Sequence, residues 1–318
     1  MIRILLLFTL CFASDLCAGT LWVAVGYGGR RISSTNGVRW ENDQRWSDEA
    51  KDDDNVLFNI AHGLGRFIAV GGGAKIGHIV STEDGVKWEE LPQVKGRVAT
   101  IAFGRNRFVA AHDSELLYSM DGESFVAGEK LSWKGSVHAR RSACGDTEAG
   151  FRFLLIGDID LFAEKQRACW RAVTEDGITY VHAVLGTPPI HDVAYGSGHF
   201  VAVGPQGLIE SSHDGQNWQR HDVGVNDDFS RVVWTGRRFV ISGGKRAWSS
   251  PDGLTWKSEA ERIPCSIAWA REPRVAVGPL ALGVSWGGNI HVTSDFSTWE
   301  KVSLPNGPSL EAIAFAQD

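Results

Sequence analysis

Methionine is nearly absent, with two in 318 residues, and there are only five cysteines, two of them in the N-terminal stretch as Cys11 and Cys17. The chain has no Cys-x-x-Cys pair, no paired-histidine zinc pattern, no EF-hand loop and no phosphate-binding Gly-Lys loop. These absences remove the usual sequence signatures of zinc, calcium and nucleotide phosphate. Gly71-Gly72-Gly73 is glycine-rich but wrongly spaced for phosphate, and it reads as a turn. No basic block is present either: the formal charge is −6 and is spread along the chain. Nucleic acid and anionic membrane are therefore not expected as main partners, because phosphate binding needs a clustered basic face. No cofactor and no metal site is expected. Beyond the N-terminus no apolar run approaches the roughly 20 residues a membrane-spanning helix needs, so the chain is not expected to be transmembrane.

The N-terminal residues read as a targeting segment. Met1-Ile2-Arg3 supplies a charge, Ile4 to Ala13 is a short apolar core, and Leu16-Cys17-Ala18 offers a small-residue cleavage site. Residues 1–18 are read as a signal peptide and 19–318 as the mature domain, exported to the periplasm or the exterior. The residues before Cys17 fit a lipoprotein anchor poorly. Cys144, Cys169 and Cys265 remain after cleavage, an odd number. Cys144 and Cys169 fall on the first and third strands of one repeat, about 9.5 Å apart by strand spacing. A disulfide needs Cα atoms within about 7 Å, so free, mostly buried thiols are expected.

What the chain does have is a repeat. A Ser or Thr, one residue, Asp-Gly, two residues and an aromatic recur seven times. The copies run Ser34 to Trp40, Thr82 to Trp88, Ser119 to Phe125, Thr174 to Tyr180, Ser212 to Trp218, Ser250 to Trp256 and Thr293 to Trp299. Asn36 replaces Asp in the first, and Phe296 replaces Gly in the last. The spacing of 37 to 55 residues matches a four-stranded propeller blade of about 40–50 residues. Each repeat holds a short apolar strand (Ile60-Ala61-His62, Ile267-Ala268-Trp269), a clearer second strand (Phe67-Ile68-Ala69-Val70, Phe200-Val201-Ala202-Val203), a third running into the box, and a fourth opened by the box aromatic. Asp-Gly accepts the positive φ of a tight hairpin, and the hydroxyl and carboxylate can satisfy its backbone N–H groups. The box aspartates are thus expected to be structural. The mature chain opens on a second-strand pattern, Leu21 to Gly26, and ends on a lone first-strand pattern, Glu311 to Phe315. The last strand should complete the first blade and close an all-β, seven-bladed ring, expected to be monomeric.

The boxes resemble the Asp-box (BNR-type) repeats of sialidase-like propellers, one residue tighter than the sialidase form. The strand-and-box pattern is similar to exported bacterial repeat propellers and, more distantly, to photosystem II assembly-factor propellers and xyloglucanase propeller halves. The resemblance covers about residues 20 to 318 and implies a fold rather than an activity. A sialidase set of three arginines, a Tyr-Glu pair and an Asp does not map onto the chain; only Tyr27, beside Arg30 and Arg31, sits in a top loop.

In this topology the boxes lie at the bottom of the ring, and the blade links and second-to-third-strand loops lie at the top. Three over-long top loops stand out: Trp46 to Asp54, Asp158 to Gln166, and Pro279 to Asn289 with Trp286. The acidic run is either solvated loop or a ligand or cation contact, and Trp286 either stacks on a sugar or covers the ring edge. Aligned first strands give a polar column of Asn59, Thr100, Arg141, Asp192, Arg231, Ser266 and Ala312, with Arg140 and His191 one residue higher. Buried charges must be paired or wet. The column is either an ion-pair ring pinning the blades or a mouth binding an anion or sugar, with His191 as a candidate acid or base. The candidate ligand contacts are Arg141, His191, Asp192, Arg231, Asn59 and Trp286. The leading expectation is an exported, non-catalytic binding or assembly module recognising a glycan or protein segment at the mouth. The alternative is a carbohydrate-active enzyme, hydrolase or lyase, using the same funnel.

Overall fold

A computed structural model of the protein describes residues 20–49, 52–259, 274–277, 281–285, 288–295 and 298–317. The signal-peptide reading, Cys17, Cys265, Ser266 and Trp286 lie outside the described residues.

Seven four-stranded antiparallel sheets form a ring. Blade I joins Leu310–Gln317 to Thr20–Gly26, Arg31–Ser34 and Glu41–Gln44. Blade II runs Leu57–Gly63, Arg66–Gly72, Gly77–Thr82, Glu89–Glu90, and blade III runs Val98–Gly104, Arg107–His112, Glu115–Ser119, Val126–Lys130. Blade IV holds Ser136–Thr147, Gly150–Leu161, Gln166–Thr174 and His182–Thr187; blade V holds Asp192–Gly196, His199–Val203, Ile209–Ser212 and Gln219–Arg220. Blade VI comprises Phe229–Trp234, Phe239–Gly243, Trp248–Ser250 and Lys257–Ser258, and blade VII Arg274–Val277, Ala281–Ser285, Asn289–Thr293 and Glu300–Val302. The innermost strands touch in sequence from blade I to blade VII and back to blade I. The seam is the pairing of Thr20–Gly26 with Leu310–Gln317, in register from Thr20↔Gln317 to Val25↔Ala312. Closing the circle there satisfies backbone groups that an open sheet would leave as an edge.

The cores lie between blades. Six of the seven second strands carry a fully buried aromatic near their start, Trp22, Phe67, Phe108, Phe153, Phe200 and Phe239, while that of blade VII, Ala281–Ser285, has none. Each box aromatic packs into the apolar cluster shared with the preceding blade, as Trp88 does beside Val23 and Val25 and Trp218 beside Leu154 and Ile156. Burying such a side chain contributes about 1.5–3 kcal/mol, so the repeat places one anchor in every interblade gap.

The box geometry explains its recurrence. Thr82 Oγ1 accepts the Gly85 N–H at 2.9 Å, while Asp84 Oδ1 accepts those of Val86 and Lys87, both at 2.8 Å. Asn36 Oδ1 does the same for Val38 and Arg39 at 2.9 and 2.8 Å, so an amide oxygen suffices. Gly215 and Gly253 have φ of +76° and +82°, a region a side chain adopts only with strain. Trp218 Nε1 then donates to the Gly215 carbonyl at 3.0 Å, fixing the indole plane.

Two stretches differ from expectation. Asp158 to Leu161 is strand, not loop, paired from Asp158↔Cys169 to Leu161↔Gln166. Its Asp-Ile-Asp-Leu alternation is a two-sided strand, which makes blade IV taller than its neighbours. In blade VII the innermost described strand is Arg274–Val277, with Ala281–Ser285 paired beside it; the expected strand Ile267-Ala268-Trp269 lies outside the described residues. Gly278-Pro279 separates two apolar runs, and the second run occupies part of what was read as a top loop.

Candidate functional site: an arginine-lined mouth

Starts of first strands, ends of second strands and starts of third strands share one end of the ring, opposite the boxes. A cavity of about 480 Å3 opens there. Its walls are set by a repeated irregularity. One extra residue bulges from the innermost strand between Leu57 and Asn59, between Val98 and Thr100, between Ala139 and Arg141, and between Phe229 and Arg231. The closing strand has its own bulge, where Val25↔Ala312 is followed by Gly26↔Leu310. A bulge leaves its extra residue unpaired and re-aims it. The extra residues Phe58, Ala99, Arg140 and Glu311 all line the cavity, as does His191 at the matching height of blade V.

The polar column stands one residue below and is laced together around the ring. Asn59 Nδ2 donates to Thr100 Oγ1 at 3.0 Å, and Thr100 Oγ1 lies 2.7 Å from Ser142 Oγ. Arg141 Nε sits 3.7 Å from Asp192 Oδ1, and Asp192 Oδ2 accepts the Val232 N–H at 3.1 Å. These contacts link blades II through VI. Of the sequence candidates, Arg141, His191 and Arg231 meet in the cavity wall. Asn59 and Asp192 belong to the belt beneath it.

Arg140, placed by the sequence one residue above the polar column, is also in the wall, whereas sequence reading missed Arg97, Arg167 and Glu311. The signal available was the column one residue earlier, which reads Phe58, Ala99, Arg140, His191, Ser230 and Glu311 and has no uniform chemistry. Tyr27 is 2% exposed, which withdraws it from any sugar site. The acidic loop folds on itself: Asp52 Oδ1 and Oδ2 accept from the Asn55 backbone and side chain at 3.2 and 2.9 Å. Among the described residues no cluster of His, Cys, Asp and Glu could hold a metal.

The wall is strongly cationic, with five arginines (Arg97, Arg140, Arg141, Arg167 and Arg231) against the carboxylates of Asp158 and Glu311. Asp158 is itself occupied: Arg140 Nε bonds one oxygen, and Arg167 Nη2 bonds the other at 2.5 Å. Arg231 is 8% exposed. Its Nη1 donates to the Ser230 carbonyl at 2.8 Å, its Nε is buried without a protein acceptor, and among the described residues no carboxylate pairs with it. Arg97 holds its guanidinium 5.6 Å from the Phe58 ring centre. His191 Nδ1 lies 2.9 Å from the Phe229 carbonyl, which sets the proton on Nδ1 in the neutral ring. Cys169 is in the same wall, and burial pushes its thiol up. Cys144 and Cys169 are both free.

The fold and this mouth define an all-β seven-bladed propeller with a basic funnel at one end. No family model matches the sequence, and no curated protein is similar to it in sequence. Similar solved structures include YCF48 bound to a D1 peptide, at 14% identity and TM-score 0.56 over 82% of this chain and 84% of that one. The periplasmic gluconolactonase PpgL of Pseudomonas aeruginosa aligns at 11% identity and TM-score 0.59 over 93% and 98%. A computationally designed protein, Ika8, aligns at 10% identity and TM-score 0.54 over 91% and 86%. At these identities the likeness concerns the fold alone. Among the described residues no helix is long and apolar enough to cross a membrane.

Proposed function

We propose that the protein is an exported, non-catalytic binding or assembly module whose mouth takes a carboxylate-bearing protein segment. The observation that carries this reading is Arg231, a buried guanidinium in the cavity wall with no carboxylate partner among the described residues. Arginine forks match carboxylates, and the remaining arginines attract an anion into a low-dielectric funnel. Catalysis is disfavoured by the same wall: the Asp158 oxygens are taken by Arg140 and Arg167. A hydrolase would need a pair of available carboxylates. The peptide held by YCF48 in its solved structure is a precedent on a similar fold. Export follows from the reading of Met1 to Ala18, and a monomer from the closed ring.

The test is calorimetric titration of residues 19–318 with short peptides that are matched except for carboxylate content. Carboxylate-rich peptides should bind, bind more weakly as salt rises, and lose most affinity to Arg231→Ala with Arg97→Ala. Equal binding of neutral and acidic peptides, or affinity untouched in that variant, would sink the reading.

A further inference from the structure

The gaps between blades are finished differently at their outer ends. Between blades IV and V the face of Trp218 is covered by Arg171, whose Cζ lies 4.2 Å from the ring centre and whose guanidinium is held by Glu210. Between blades I and II, Arg31 covers Trp46 and Trp88 at 4.6 and 5.5 Å. The position that supplies Arg31 and Arg171, three residues before the box hydroxyl, is Ile209 in blade V. Among the described residues no guanidinium lies over Trp248 or Trp256, two of the three indoles packed in the gap between blades V and VI.

A cleft of about 470 Å3 opens beside these two rings, on the rim of the propeller and away from the mouth. That volume is ordinary for a small-ligand cleft, about 300–1,000 Å3. Its floor is rigid. Trp256 Nε1 donates to the Gly253 carbonyl at 3.2 Å, and the ring is backed by Phe239. Trp248 meets Phe229 edge-on at 68°. Leu254, 40% exposed, extends the apolar surface. The polar side is balanced. Arg220 is exposed and in no ion pair among the described residues, and Asp222 Oδ1 accepts the Gly224 N–H at 2.8 Å, leaving its other oxygen to solvent. His221 Nε2 lies 2.7 Å from Ser211 Oγ, and burial holds the imidazole below its ordinary value, so it is neutral at neutral pH.

Fixed, partly exposed indoles with no guanidinium over them, and with one cation and one anion at the margin, suit a ligand that is itself amphipathic and uncharged. An anion would find no net attraction here, in contrast to the mouth. A peptide adding to the sheet edge would find an outer strand of only two residues, Gln219–Arg220, too short a ladder for main-chain pairing. A pyranose ring has an apolar C–H face and a hydroxyl rim, which matches both halves of the cleft. We propose that the cleft between blades V and VI binds a neutral sugar ring of a glycan, stacked on Trp248 and Trp256 with hydroxyls bonded to Arg220 and Asp222. The inference stands apart from the mouth and needs nothing of it.

The experiment is tryptophan fluorescence and calorimetric titration with neutral hexasaccharides: cello-, malto-, laminari-, manno- and N-acetylchito-hexaose. Wild type is compared with Trp248→Ala, Arg220→Ala and the mouth variant Arg231→Ala. At least one saccharide should bind to wild type, weaken by roughly tenfold or more in Trp248→Ala, weaken less in Arg220→Ala, and bind unchanged in Arg231→Ala. If Trp248→Ala fails to fold, the exposed Arg220→Ala together with Asp222→Ala decides the matter. Absence of binding by every saccharide, unaltered binding in the cleft variants, or loss confined to Arg231→Ala would overturn the assignment.

Discussion

Arg30 grips both carboxylate oxygens of Asp43, with Nε 3.1 Å from Oδ1 and Nη2 2.8 Å from Oδ2. The same guanidinium donates to the carbonyls of Pro305 and Pro308, each at 2.7 Å. Arg30 is 1% exposed, so the cluster is dry, and it ties the lead-in of the closing strand to blade I.

Removing Arg30 should therefore loosen the seam specifically. Arg30→Ala leaves the largely buried Asp43 carboxylate with only Arg45, 3.9 Å away, and leaves two carbonyls without their donor, and a loss of about 3 kcal/mol is expected. Chemical denaturation reads the total. Hydrogen exchange should show protection falling first in 20–26 and 310–317, and uniform loss around the ring would contradict a local clasp.

Acid should destabilise the ring through its boxes. The N–H groups of Lys87 and Val86 hold the Asp84 carboxyl below its ordinary value, and those of Thr255 and Leu254 do so for Asp252. For Asp214 burial acts upward, but the N–H groups of Asn217 and Gln216 and the Asn217 side chain outweigh it, leaving a value of about 2 against an ordinary 3.8. Such groups bind protons more weakly folded than unfolded. Their contribution is complete above the ordinary value and is lost as pH falls through the folded one. Stability should thus drop between pH 3.8 and about 2, and urea midpoints measured down that range would show it.

Asp214→Asn should separate hydrogen bonding from charge. Asn36 already performs the role with an amide oxygen, so Asp214→Asn keeps the acceptor, costs little at neutral pH and flattens the acid decline. Asp214→Ala removes the acceptor and should cost about 1 kcal/mol, the scale of a lost cap at a largely solvated site. Equal melting temperatures for the two variants would contradict this.

The mouth predicts an inverse relation between binding and stability. Arg231→Met removes a buried guanidinium whose Nε meets no acceptor and should leave stability unchanged or raise it by up to about 1 kcal/mol, seen as an equal or higher melting temperature. Asp192→Ala removes an acceptor for the Val232 N–H and the neighbour of Arg141 and should lower it. Thermal melts of both variants without ligand provide the comparison.

The thiols should differ in reactivity. Burial pushes Cys144 up to about 12, and its Sγ lies 3.1 Å from the Phe103 carbonyl. Cys169 is also raised but lines the mouth. Iodoacetamide followed by peptide mass mapping should label Cys169 well before Cys144 in the native protein, although both are half-buried, and comparable labelling of both would contradict the stronger suppression of the Cys144 thiolate.

Fold and site were legible to different degrees, for a physical reason. The box needs specific chemistry at fixed spacing: a hydroxyl on Gly85, an acceptor on Val86 and Lys87, an aromatic in the gap. It therefore leaves the same letters at each copy. The column at Asn59, Thr100, Arg141, Asp192 and Arg231 could be aligned because first strands share one apolar phase. The bulges broke that phase. Phe58, Ala99, Arg140 and Glu311 reach the cavity through an extra residue that no composition marks. Arg97 and Arg167 come from a blade link and a tall third strand whose positions depend on neighbours far away in sequence. The Asp158 to Leu161 strand was hidden because its alternating aspartates look like loop, although Asp158 is buried against Arg140 and Arg167.

The seam also carries a kinetic consequence. Gly26 is paired with Leu310 and Thr20 with Gln317, so blade I acquires its innermost strand only after every other blade has been synthesised. Until then the newly made chain offers the unpaired side of Thr20–Gly26 to any passing strand. Such non-local pairing is slow and exposed to aggregation. A holding factor that shields 20–26 during synthesis or transport would act on the step that separates a ring from an open, adhesive arc.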